Sequence, residues 1–276
     1  MGFFRRRGRQ SDAGRPATPP LSRAVALYEA GRYAEAEAEA RTVARSRPRD
    51  EQYAPLALGI AALATGAQGR HADALATYDE ALTAAGGVFG AGHWQTLKLR
   101  SDRAQQLTAL GRHAECEAES REIARTAARG SGPEAQVVAA AARNALVFAL
   151  NAQERHPEAE VLARHALADH RAPDRLSLVL RLGLARSLNG QARHEQALAE
   201  AERAGELRRS LPEEERRPET GAVELAVATA LLGSRRAGEA RLQAAAAHEA
   251  CLASFGPDHR RTLEARTLLA RIDGST

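Results

Sequence analysis

Aromatic residues are scarce, at 4% of 276 residues with one tryptophan and four tyrosines, while alanine fills 63 positions, roughly a quarter of the chain. Strands favour aromatic and β-branched residues, and alanine is the best helix former, so a sheet-based architecture starts at a disadvantage, and with it the usual nucleotide-binding α/β enzymes. An interior built largely from alanine must be thin, with its elements closely spaced. Cysteine is nearly absent. Cys116 and Cys251 give neither a disulfide framework nor a Cys-x-x-Cys metal or redox pair, which fits a reducing compartment and an expected cytoplasmic location. Long apolar stretches are missing too: Leu225 to Leu232, with a threonine inside, falls far short of the roughly 20 residues that span a bilayer, and no transmembrane helix is expected. Met1 to Arg7 carry charge with no apolar stretch behind it, so no secretory signal is expected.

Excess charge of one sign is lacking outside one short segment. The formal charge is +4, from 39 Lys+Arg against 35 Asp+Glu, and residues 1–20 hold all of it: Arg5, Arg6, Arg7, Arg9 and Arg15 against Asp12. The other residues are balanced, so the folded part has no surplus of cations to track nucleic-acid phosphates. With Pro16, Pro19, Pro20, Gly8 and Gly14, the first twenty residues read as a disordered basic tail.

What the chain has in abundance is repetition. Gly31-Arg32-Tyr33-Ala34-Glu35-Ala36 returns as Gly69-Arg70-His71-Ala72-Asp73-Ala74 and as Gly111-Arg112-His113-Ala114-Glu115-Cys116. Weaker copies follow at Arg155-His156-Pro157-Glu158-Ala159, Arg193-His194-Glu195-Gln196-Ala197 and Arg235-Arg236-Ala237-Gly238-Glu239-Ala240, with Glu154, Ala192 and Arg235 in place of the turn glycine. Apolar residues at helical spacing precede each copy, as in Leu97, Ala104, Leu107 and Leu110, and a second helix follows it. The first inward position of that second helix is always small: Ala36, Ala74, Cys116, Ala159, Ala197 and Ala240. Two helix backbones must approach each other closely there.

A second element also recurs. Phe89-Gly90-Ala91-Gly92-His93-Trp94-Gln95-Thr96-Leu97 matches Phe255-Gly256-Pro257-Asp258-His259-Arg260-Arg261-Thr262-Leu263, a loop in which the threonine is expected to cap the next helix. Pro212 to Pro218 reads as a charged surface loop.

These motifs, with Thr262-Leu263-Glu264-Ala265-Arg266, resemble the tetratricopeptide repeat family, in its longer-looped, kinesin-light-chain-like variety. The resemblance implies an all-α α-solenoid of about six antiparallel helix pairs in a right-handed superhelix. The repeats are expected at about 21–48, 51–87, 93–131, 133–171, 174–210 and 218–255, with a C-terminal capping helix at 259–272. Residues 21–276 would form one cooperative array, since each repeat buries its apolar face only against neighbours.

Enzyme chemistry finds little support. Gly86, Gly87, Gly90 and Gly92 follow no strand and precede no Gly-Lys-Ser/Thr, so no phosphate loop is assigned. The histidines recur at fixed repeat positions, which favours packing over metal ligation; Cys116 replaces an alanine; and Glu35, Glu37 and Glu39 read as a solvated face. No cofactor, metal site or catalytic residue is assigned. In the resembling family the first helix of each pair lines a concave surface that holds peptides. Spacing from the turns places Ser101, Gln105 and Thr108, then Asn144, Phe148 and Asn151, then Leu182, Arg186 and Asn189 toward it. Asn144, Asn151 and Asn189 are the chain's only asparagines, and amides satisfy the backbone of an extended ligand from either side. Asn189-Gly190 also reads as an ordinary helix end, and Arg100, Arg143 and Arg181 as ligand contacts or inter-repeat ion pairs.

The expected function is a non-enzymatic protein- or peptide-binding scaffold. Two alternatives remain from this reading. One is a membrane-peripheral adaptor whose Phe3-Phe4 and Arg5 to Arg9 meet anionic lipid. The other, on family context alone, is a regulatory subunit of a transcription factor or NTPase.

Overall fold

The computed structural model describes residues 21–46 and 51–274. The expected basic tail, and with it the proposed lipid contact, lies outside the described residues. Every regular element among the described residues is helical. The helices are α1 (Ser22–Glu29), α2 (Tyr33–Ser46), α3 (Tyr53–Ala67), α4 (His71–Val88), α5 (Trp94–Ala109), α6 (His113–Ala127), α7 (Pro133–Ala152), α8 (His156–Asp169), α9 (Arg175–Gly190), α10 (His194–Ser210), α11 (Glu213–Arg216), α12 (Ala222–Gly233), α13 (Ala237–Phe255) and α14 (Arg260–Asp273). They form the expected hairpins of a helical-repeat solenoid. The chain divides into two compact units, residues 1–139 and 140–276.

The repeated turn has a local explanation. In each copy the residue before the arginine is left-handed: Gly31, Gly69 and Gly111 at φ 76°, 80° and 72°, and Glu154, Ala192 and Arg235 at 59°, 58° and 61°. The three substitutions therefore keep the glycine's conformation and bear its steric cost. The arginine then reaches the side chain three residues on. Arg32 pairs with Glu35, Arg70 with Asp73, Arg112 with Glu115, Arg155 with Glu158 and Arg236 with Glu239, while Arg193 bonds Gln196. This pair at the first turn of each second helix is why arginine and an acid recur at a fixed distance. One turn further in, Ala36, Ala74, Cys116, Ala159, Ala197 and Ala240 are all fully buried.

Alanine dominates each core, as the composition requires. In the first unit Leu21, Ala24, Ala40, Ala57, Ile60 and Ala61 form one cluster; Ala62, Tyr78, Ala81, Ala85 and Leu99 form another. In the second unit Leu146, Val147 and Leu150 of α7 begin a core that runs through Leu184, Leu188, Ala228 and Leu231 to Ala265, Leu268 and Ile272 of α14. The 20-residue α7 is long and apolar enough to cross a membrane, contrary to the sequence expectation, which had overlooked this alanine-rich stretch. Those three side chains pack into the core, and Arg143 stands at its middle.

The two matching loops cap their helices with histidine rather than threonine. Nδ1 of His93 accepts from Gln95 N–H at 3.3 Å and Nδ1 of His259 from Arg261 N–H at 3.2 Å. Thr96 and Thr262 instead donate their hydroxyls back to the carbonyls of Gly90 and Gly256, both at 2.9 Å, and close the loop from inside the helix. Phe89 stacks on His93, and Phe255 on His259.

Residues 212–218 are more than a surface loop. They form α11 and part of a 3-10 turn at Arg217–Glu219, which delivers Glu219 into a buried position. Its carboxylate takes Arg175 at 2.6 Å from the start of α9 and Arg261 at 3.3 Å from the start of α14. Arg261 also donates to the carbonyls of Pro218 and Thr220, at 2.8 and 2.9 Å. A buried carboxylate with two guanidiniums and their extra acceptors is satisfied, and it sets the start of both helices.

Candidate binding groove

Within the second unit, α9, α12 and α14 are the first helices of successive pairs, and their C-terminal halves border a groove of about 520 Å³. Arg186 and Asn189 come from α9, Thr229 and Leu232 from α12, and Arg271 from α14. The His156 and His194 rings close its margin, each over the last glycine of a neighbouring first helix. An added Cβ would lie 2.1 Å from the His156 ring at Gly190 and 2.2 Å from the His194 ring at Gly233. Glycine here permits the close approach of ring to helix, and the helix-end reading of Asn189-Gly190 is true only in part: Gly190 is the last residue of α9, and the left-handed turn residue is Ala192.

The polar side chains of this face are held in pairs. Arg186 donates to Glu264 at 2.7 Å, and Arg260 lies 3.5 Å from the same carboxylate. The guanidiniums of Arg186 and Arg260 each stand 5.5 Å from the centre of the Phe148 ring, a cation–π distance. Partial burial, together with Arg186 and Arg261, lowers the pKa of Arg260, with Glu264 opposing. One carboxylate thus serves two neighbouring cations. The face favours a further anion.

Of the residues expected to face a ligand, Arg186 and Asn189 line this groove, and Phe148 and half-buried Asn144 stand on α7 in the same unit. Ser101 and Asn151 are corrections. Both are buried, at 5% exposure. Asn151 donates to the carbonyl of Gly183 at 3.0 Å, and its side-chain oxygen bonds Nδ1 of His156 at 3.0 Å. Asn189 bonds His194 in the same manner at 3.2 Å but keeps partial exposure. The asparagines first support the histidines that wall the groove. In the other unit Gln105 is exposed, and Thr108 donates to Cys116 Sγ at 3.2 Å. Arg100, Arg143 and Arg181 pair with Glu119, Asp169 and Glu200, each on the second helix of the same hairpin rather than between repeats.

Sequence reasoning missed Glu264, Arg260 and Arg271, because α14 had been read only as a cap. It also took Glu37 for a solvated residue. Glu37 receives Arg41 at 3.1 Å, Gln68 at 2.9 Å and Arg70 at 3.0 Å; Glu160 receives Arg164 at 2.9 Å, Gln191 at 2.8 Å and Arg193 at 2.6 Å. Each glutamate locks the second helix of one repeat to the turn of the next. Burial alone raises both pKa values, but the side-chain hydrogen bonds and the nearby arginines outweigh it and hold both carboxyls below the ordinary range.

Helix pairs joined by this turn, with a small residue at the crossing and a glutamate lock between neighbours, leave one architecture. The fold is that of the tetratricopeptide repeat. Similar tetratricopeptide structures include a kinesin light chain with nearly identical TPR-like repeats from Podosopora anserina, at 16% identity and a TM-score of 0.57, covering 68% of this chain and 92% of that one. The assembly chaperone of RpL4 is similar at 17% identity and a TM-score of 0.52, covering 92% of this chain and 94% of that one. No protein-family model matches the sequence, and no curated protein does. The likeness is one of fold. Among the described residues no group of three or more His, Cys, Asp or Glu is placed to hold a metal ion.

Proposed function

We propose that the chain is a non-catalytic scaffold that holds an extended, acidic polypeptide segment in the groove of α9, α12 and α14. The observation that carries this reading is the shared carboxylate: Glu264 is the partner of both Arg186 and Arg260. A ligand carboxylate arriving beside Arg186 relieves that sharing, while Asn189 offers its amide to the ligand backbone and Leu232 an apolar floor. The assembly chaperone with this fold is, by its name, a protein that attends another protein, which agrees with a holding role.

The test is selection of peptides from a random display library on the full-length chain, followed by titration of the selected peptides. Acidic peptides are expected to emerge, with binding about tenfold weaker or worse in Arg186→Ala and Arg271→Ala. Selected peptides that bind these variants and Leu232→Glu as tightly as the parent would place the partner site elsewhere.

A further inference from the structure

A second cavity lies apart from the groove, between the end of α10, the α11 segment and the start of α12. Its volume is about 380 Å³, and arginine dominates its wall: Arg208, Arg209, Arg216 and Arg217, against Glu213 and Glu224. Two of the four cations are spoken for, Arg208 with Glu224 at 2.7 Å and Arg216 with Glu213 at 2.7 Å. Arg209 and Arg217 make no ion pair or side-chain hydrogen bond among the described residues. Like charges gathered at one concavity repel each other unless a counter-charge joins them.

Two further atoms point the same way. Nε of Arg216 is buried with no acceptor, and Oε2 of Glu224 is buried with no donor. A buried donor or acceptor left unmet costs about 1–3 kcal/mol, so each atom calls for a partner. The missing partner must bring acceptor oxygens and about two negative charges for Arg209, Arg217 and Arg216 Nε, plus one hydroxyl or amide donor for Glu224. A carboxylate has one charge and two oxygens. A phosphate monoester has a charge of about −1.5 to −2 at neutral pH and three strong acceptor oxygens, and guanidinium forks match it in geometry. Its parent group, whether a sugar or a peptide, supplies the donor and fills the rest of the cavity.

We propose that this cavity is a phosphomonoester site, with Arg209 and Arg217 as the principal charge partners and Arg216 Nε and Glu224 as the polar contacts that orient the ligand. The site is independent of the peptide groove. Elsewhere the charges are largely paired along the helices, and this excess sits where the regular repeat is interrupted by α11.

The experiment is calorimetric titration of the full-length chain with three probes: inorganic phosphate, glucose 6-phosphate and a phosphoserine peptide with its unphosphorylated counterpart. At least one phosphomonoester is expected to bind, about tenfold or more weaker in Arg209→Ala/Arg217→Ala, weaker at about 1 M salt, and weaker below about pH 6 as the dianion protonates. A peptide-only response assigns the phosphate to a protein, and a sugar-phosphate-only response assigns it to a metabolite. Arg209 and Arg217 are exposed, so the double variant should keep its circular dichroism. Arg209→Lys/Arg217→Lys, which keeps the charge without the fork, should bind at an intermediate strength. Absence of binding by all three probes at low salt overturns the proposal. So does binding that the double alanine variant leaves unchanged, since the basic residues 1–20 would then be its source.

Discussion

The imidazole of His156 occupies the space in front of Gly190, where an added Cβ would sit 2.1 Å from its Cδ2. His194 stands to Gly233 in the same way, and both rings are pinned from behind by an asparagine, Asn151 and Asn189. Ring, amide and glycine form one device used in successive hairpins.

Gly190→Ala tests that device. Alanine gains about 1 kcal/mol over glycine within a helix, but the ring must leave its hydrogen bond with Asn151, and overpacking costs about 1–3 kcal/mol. We expect a lower Tm for Gly190→Ala. In a His156→Ala background the same substitution should lose its penalty, and a thermal double-mutant cycle measures the coupling.

Asn151→Ala should lower stability by about 1–3 kcal/mol, because it removes the acceptor of the His156 ring from a buried site along with a donor to Gly183. Its effect on peptide binding should follow from this loss of structure. Asn189→Ala, at a partly exposed site, should weaken peptide binding with a smaller change in the denaturation midpoint. Equal destabilisation by the two variants would remove the distinction between support and contact.

Ala159→Leu places a branched side chain at a fully buried helix crossing, and about 1–3 kcal/mol of destabilisation is expected from overpacking. Ala192→Gly works in the opposite direction. Ala192 sits at φ 58°, a conformation that costs a non-glycine residue about 1–2 kcal/mol, so glycine should raise the Tm once its own greater chain entropy is subtracted. Chemical denaturation of the two variants beside the parent checks both signs.

Acid should weaken the repeat locks. The carboxyls of Glu37 and Glu160 titrate below the ordinary glutamate range in the folded chain, held down by hydrogen bonds and arginine charge despite burial. A lowered native pKa contributes stability above the unfolded value of about 4.3, and that contribution disappears as pH falls through the native value. Denaturation midpoints taken across the acid range should fall more steeply for the parent than for Glu160→Gln. A Gln variant with the parent's full acid dependence would assign the effect to other carboxylates.

Much of the fold was legible because its causes are local. The turn conformation, the arginine-to-acid pair three residues apart and the small residue at the helix crossing each act within one hairpin, so each repeat carries its own copy of the signal. The site was legible only in part. Arg186 and Asn189 were found by counting from the turn, but the same counting selected Ser101 and Asn151, which are buried. Side-chain periodicity gives the face of a helix and does not say whether a neighbour covers it.

The linear chain determined the helix pairs, their turns and the narrow, alanine-built spacing between them, since propensity, backbone conformation and near-neighbour pairing need only a few consecutive residues. Tertiary structure decided the chemistry of the surfaces. Arg186 meets Glu264 across 78 positions, Glu219 joins the starts of two helices more than 80 positions apart, and four arginines converge around α11. Charges so far apart in sequence acquire their partners only when the stacked hairpins bring them within a few ångströms, where Coulomb attraction and hydrogen bonding exceed the loss of water.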